Sequence, residues 1–161
     1  WKASRAFARS VTSSRGGGSL LMRALGIDLG TKRIGLAVSD FSGTIASPHS
    51  VLLRAKSVRL DHLKIAEIVL QEEVEVVVVG LPLLMAGGHG PAAKAATTEA
   101  RRLSTVLSVP IEMFDERMTT VAADRALKEA NLSATARRQY VDKVAAAIML
   151  QAWLESRHLR E

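Results

Sequence analysis

The chain contains no cysteine. That excludes disulfides, thiolate nucleophiles and Cys-ligated zinc. Any metal must be held by oxygen or imidazole, a donor set that favours Mg²⁺ or Mn²⁺ over zinc. An apolar run long enough to span a bilayer is also missing: Val74–Gly80 has the length of a strand, and the alanine-rich stretch near residue 146 is flanked by charges. No membrane partner is expected. Internal repeats and long linkers are absent too, so the 161 residues read as one domain, and a hydrophobic fraction of 48% is ample for a core.

Acidic residues are lacking from positions 1–21, which carry Lys2, Arg5, Arg9 and Arg15 among Ser and Gly and precede Met22. The expectation is a disordered extension over 1–21, either tag, misassigned upstream sequence or the remnant of a transit peptide, followed by a folded domain over 22–161. A cytoplasmic location is expected, or an organellar one for a transit remnant. The net charge of +6 falls to 18 basic against 16 acidic residues, or +2, without this segment. Charge alone therefore does not argue for nucleic acid.

What is present is a regular alternation of patterns. Strand-like segments at Arg23–Leu29, Ile34–Ser39 and about Thr44–Leu53 are separated by short breaks, which predicts antiparallel neighbours, with Pro48 marking the third as an edge strand. Val58, Leu60, Leu63, Ile65, Ala66, Ile68, Val69 and Leu70 then fall near helical spacing, followed by Val74–Gly80, a run suited to a strand buried on both faces. Pro91 opens a helix over about Ala92–Leu107, Val109–Phe114 is a further strand, and two helices follow at about Thr120–Ala130 and Ser133–Arg157. The order β-β-β-α-β-α-β-α-α predicts an α/β fold of the ribonuclease H-like type, a mixed five-stranded sheet with helices on both faces. In open α/β sheets, sites form at the carboxyl ends of strands.

Three such ends carry unusual chemistry. Asp28 interrupts the apolar segment Leu25-Gly26-Ile27-Asp28-Leu29-Gly30, on the face of Ala24 and Gly26, where small neighbours leave room for a ligand. A buried carboxylate is costly unless a cation or hydrogen bonds compensate. A metal is the leading partner; bonding to the Gly30-Thr31-Lys32 turn is the alternative. The second end, Gly80-Leu81-Pro82, opens a loop through Gly87, Gly88 and His89 to a helix start, where free N–H groups suit a phosphate or serve simply as a flexible connection. The third is Asp115-Glu116-Arg117-Met118-Thr119-Thr120: Thr119 or Thr120 can cap a helix, but the two acids precede the cap by several residues. Asp142 adds a carboxylate to the apolar helix face of Ala145, Ala146, Met149 and Trp153, and either reaches the first strand or pairs with Arg138. Clustered carboxylates take up protons unless cations intervene, and two divalent ions about 4 Å apart satisfy that demand while setting up in-line displacement at a phosphodiester.

Gly26-Ile27-Asp28-Leu29-Gly30-Thr31-Lys32-Arg33-Ile34-Gly35-Leu36-Ala37, Val79-Gly80-Leu81-Pro82, Asp115-Glu116-Arg117-Met118-Thr119-Thr120 and Asp142-Lys143-Val144-Ala145-Ala146 together resemble the YqgF/RuvX family over 22–157. That resemblance implies a ribonuclease H-like fold related to Holliday-junction resolvases, and a nuclease maturing the 5′ end of pre-16S ribosomal RNA. It implies acidic catalytic residues Asp28, Asp115, Glu116 and Asp142, with Asp28, Glu116 and Asp142 as ligands of two Mg²⁺ or Mn²⁺ ions. Asp115 is either a ligand or a residue that orients Arg117. Lys32, Arg33, Arg117, Gly87 and Gly88 are expected to hold substrate phosphates, and Arg101-Arg102 or Arg137-Arg138 to extend the track or lie on solvated helix faces. The chain departs from the family at Leu84-Met85-Ala86, apolar where a polar residue and an acid or Asn are usual.

The partner implied is nucleic acid, precursor ribosomal RNA or branched DNA, bound by a monomer or homodimer. A nucleic-acid-binding factor with little catalysis is the competing expectation. Gly-Ile-Asp-Leu-Gly-Thr also resembles the phosphate motif of sugar kinases and actin-like ATPases, which need two such domains where this chain supplies one.

Overall fold

A computed structural model describes residues 22–84, 86–115 and 134–160. Strands β1 (Ala24–Leu29), β2 (Arg33–Ser39) and β3 (Ala46–Leu53) form an antiparallel meander. Helix α1 (Val58–Gln71) leads to β4 (Val76–Leu81), and α2 (Pro91–Ser104) leads to β5 (Ile111–Asp115). Both strands run parallel to β1, in the sheet order β3-β2-β1-β4-β5. The final described helix is α3 (Ala134–His158). This is the expected mixed five-stranded sheet; the helix expected at Thr120–Ala130 lies outside the described residues.

Alternation along the strands creates two cores. Leu25, Ile27, Ile34, Leu36, Val77 and Val79 point to one face, where Ile65 and Val69 of α1 and Ala100 and Leu103 of α2 cover them. Ala24, Ala37, Val76 and Val78 point to the other, against Ala146, Met149, Leu150 and Trp153 of α3. The valine run of β4 thus feeds both cores, as a near-continuous apolar strand requires.

Two details depart from the sequence pattern. On α1 the buried residues are Asp61, His62, Ile65 and Val69, whereas Leu60, Leu63 and Leu70 are exposed. The inward stripe is set by a buried ionic network, described below, rather than by the leucines. In β3, Leu36 pairs with Ser50 and Ala37 with Pro48, so His49 is an extra residue in a bulge. Pro48 does sit on an edge strand, where its missing N–H is tolerated.

Helix α3 lies almost on the sheet backbone. A Cβ added at Gly26 would come within 2.9 Å of Leu150 Cβ and 3.2 Å of the Ala146 carbonyl oxygen; one at Gly35 would overlap the Asp142 carbonyl. Glycines on β1 and β2, with the buried Ala146 and Ala147 above them, bring the helix down. Gln151 then ties it to the β3 edge, accepting from the Ala46 N–H at 2.8 Å and donating to the Thr44 carbonyl at 3.1 Å.

Candidate active site

Three strand ends meet at one rim of the sheet. Asp28 pairs across β1 and β2 with Gly35, Ile27 pairs with Val79 of β4, and Leu81 pairs with Asp115 of β5. Directly opposed residues share a face, and the Cβ direction at Gly35 points into α3 at Asp142. Asp28 therefore faces the same side of the sheet as Asp142, one strand away. Both carboxylates belong to the rim expected from sequence.

Asp142 is half-buried and its Oδ2 accepts from Arg33 Nε at 2.6 Å, with the two side chains 22% and 24% exposed. The sequence offered Arg138 as the alternative partner; the described partner is Arg33, the first residue of β2. Lys32, next to it, is exposed at the turn. Alternation in β5 separates its last residues: Phe114 packs on the α3 side, while Ile111 and Met113 pack toward α1 and α2. Asp115 shares their phase and so leaves the strand on the face opposite Asp28. Glu116 and Arg117 lie outside the described residues. Among the described residues, no group of three or more His, Asp or Glu side chains is arranged to hold a metal ion.

The loop after β4 folds on itself. The Gly87 N–H donates to the Leu84 carbonyl at 2.7 Å and the Leu84 N–H to the Gly88 carbonyl at 2.9 Å, with Gly87 at φ +88°. The Gly87 amide is thus used inside the turn. Leu84 lies against Gly88 and Gly90, and α2 begins with Gly90 as an N-cap that supplies no side-chain bond. The loop leads into the first turn of α2, which Pro91 opens without an N–H of its own.

Beneath the β1–β2 turn, on the opposite face from Asp142, lies an ionic cluster not foreseen from sequence. Arg54 Nε donates to the Gly30 carbonyl at 2.9 Å, and its Nη atoms reach Glu99 at 2.6 and 2.9 Å and Asp61 at 3.3 Å. His62 Nε2 is 3.2 Å from Glu99 Oε1. Burial pushes the Glu99 carboxyl up, but hydrogen bonds and charge from Arg54, with His62 adding to them, hold it below the ordinary range. The bond to Glu99 correspondingly raises Arg54. The available signal was Asp61-His62 at the inward phase of α1, four and three residues before Ile65.

The family model for RuvX, a Holliday junction resolvase, matches residues 22–156. The chain belongs to the RuvX family. A relative from Myxococcus xanthus, named "Putative pre-16S rRNA nuclease", is 45% identical over 135 residues, covering 84% of this chain and 89% of the relative. One from Moorella thermoacetica with the same name is 45% identical over 134 residues, covering 83% and 95%. Among solved structures, T. thermophilus RuvC in complex with a Holliday junction substrate is similar at a TM-score of 0.53 and 18% identity, covering 85% of this chain and 96% of that one. The likeness to RuvC concerns the fold, the ribonuclease H-like arrangement expected from the order of elements. For this RuvX member, family and fold both agree with the motifs around Asp28, Gly80, Asp115 and Asp142.

Proposed function

We propose that this chain is a divalent-metal-dependent endonuclease that hydrolyses phosphodiester bonds in structured nucleic acid, with the 5′ end of precursor 16S ribosomal RNA as its substrate. The observation that carries the reading is the placement of Asp28 and Asp142, from residues 114 apart in sequence, on one face of one rim beside Lys32 and Arg33. The names of its relatives support the substrate. A cytoplasmic site of action, or an organellar one for a transit remnant at 1–21, goes with that substrate.

Asp28 and Asp142 offer hard oxygen donors on a common face, a set that fits Mg²⁺ or Mn²⁺, with Glu116 as the third ligand named by the motif. When bound, two such ions supply an activated water and stabilise the leaving oxygen. The chain itself supplies the rest. Lys32 and Arg33 hold the phosphate, Arg33 exchanging its carboxylate partner for a phosphate oxygen of equal charge type. Asp28, at the end of a strand buried on both faces, gives its carboxylate a fixed position against which the scissile phosphate is aligned. Asp115, on the far face, acts by orienting its neighbours rather than as a ligand.

The test is a cleavage assay on precursor 16S RNA and on a four-way DNA junction in parallel, with Mg²⁺ and with Mn²⁺, for wild type and Asp28→Asn. Metal-dependent RNA cleavage is expected, lost by a factor of about 10²–10³ or more in the folded variant. Persistence in excess EDTA, or in Asp28→Asn, overturns the mechanism. The RuvX description favours a second reading, junction resolution; cutting the junction in preference to RNA, by a homodimer with two opposed sites, would establish it.

A further inference from the structure

The Arg54 cluster lies outside the metal and phosphate sites proposed above, yet it grips the turn between Asp28 and Arg33. Arg54 follows β3 by one residue. Its backbone N–H donates to the Lys32 carbonyl at 3.0 Å while its Nε donates to the Gly30 carbonyl. Two carbonyls of the β1–β2 turn are thus held by one residue. The guanidinium is in turn oriented by the bidentate bond to Glu99 of α2 and by Asp61 of α1, whose other oxygen accepts from the Ala55 N–H at 2.8 Å. Asp61 and His62 are 1% and 2% exposed. Burying charges here rather than aliphatic side chains is a poor way to gain stability. The geometry does, however, supply a rigid planar fork at a fixed height under the turn.

The turn itself has little freedom. Gly30 bonds back to the Asp28 carbonyl at 3.2 Å, and a Cβ on Gly30 would overlap the Arg33 carbonyl oxygen. A shift of the Gly30 and Lys32 carbonyls is therefore passed directly to Asp28 before them and Arg33 after them. We infer that Arg54 is a positioning residue: with Glu99 and Asp61 it couples α1 and α2 to the β1–β2 turn and sets where Asp28 and Arg33 stand relative to Asp142. This rests on the nuclease reading, since it assigns the turn a catalytic task.

Arg54→Lys keeps the charge but replaces the planar fork with a single ammonium that cannot serve Glu99 and the Gly30 carbonyl in the same geometry. It is to be compared with Glu99→Gln, which leaves Arg54 in place without its charged orienting partner, and with Ile65→Val, a buried change on α1 away from the turn. Each is measured for Tm, kcat, KM and amide hydrogen exchange. Arg54→Lys and Glu99→Gln are expected to speed exchange at the turn amides and lower kcat on the order of 10- to 100-fold with KM changed much less. Ile65→Val should lower Tm while leaving both readouts at the wild-type level. Combining Arg54→Lys with Lys32→Ala should give less than the product of the separate losses.

Wild-type kcat in folded Arg54→Lys, unchanged turn exchange, or a kcat loss in Ile65→Val as large as that in Arg54→Lys would overturn the inference. A wild type inactive on both nucleic acids sinks the nuclease reading instead. The exchange measurement then still decides on its own whether Arg54 holds the turn.

Discussion

Arg33 occupies an unusual position for the phosphate-binding role proposed for it, because its guanidinium is committed to the Asp142 carboxylate, which the same proposal assigns to the metal. The ion pair at Asp142 is about three-quarters buried, so its two members compete for each other with any cation or anion that arrives. Replacing Arg33 by Ala should act in opposite directions on two ligands. Mn²⁺ binding, followed by calorimetry, is expected to tighten by a few-fold as a competing cation leaves, while KM for the nucleic acid rises by about tenfold, the worth of one charge-assisted bond. A uniform loss of both would show that Arg33 merely supports the fold. Asp28 and Asp142 were readable from sequence as acids on apolar faces. Their link through Arg33 was not, since a partner 109 positions away leaves no local pattern.

Among the elements, α3 depends on backbone proximity more than on its own amphipathicity. Asp142 reaches the rim because Gly35 lets the helix backbone sit where a side chain would be. Gly35→Ala forces a Cβ into the Asp142 carbonyl, a backbone atom that no rotamer change can move aside. The expected cost is about 1–3 kcal/mol, seen as a lower midpoint in urea, together with loss of cleavage. Gly26→Ala meets Leu150 Cβ at 2.9 Å as well as the Ala146 carbonyl, but lies farther from the acids. It should reduce stability with a smaller effect on kcat; equal catalytic losses in the two variants would contradict this account. Ala145, Ala146 and Ala147 are small enough to permit the close approach of this helix. The matching glycines had another apparent use, in the strand motif, and their second role appears only when the sheet and helix are superposed.

At the level of the whole molecule, paired carboxylates tie distant parts of the chain together and make the fold acid-labile. Glu72 is held below the ordinary range by its hydrogen bond from Arg23 and then by His49. Asp40 is lowered chiefly by the Thr44 N–H, and Glu99 by Arg54 against its burial. A carboxyl whose folded value is depressed binds protons more readily in the unfolded chain, so its stabilisation is complete above the unfolded value and disappears as pH falls through the folded one. Thermal midpoints should therefore be flat above about pH 5 and drop steeply below about pH 4. Glu99→Gln should flatten that drop while lowering the plateau. A plateau that continues unchanged to pH 3 would show that these pairs contribute little.

The order of the described elements, the edge position of β3 and the two-sided burial of β4 follow from local spacing, because period and turn chemistry act over a few residues. Family membership is equally contained in four short motifs. The face shared by Asp28 and Asp142, the pairing of Arg33 with Asp142, and the inward turn of Asp61 and His62 toward Arg54 and Glu99 depend on surfaces assembled from segments far apart in the chain. The energy of a buried charge is decided by what surrounds it, and those surroundings exist only once the sheet has brought its helices together.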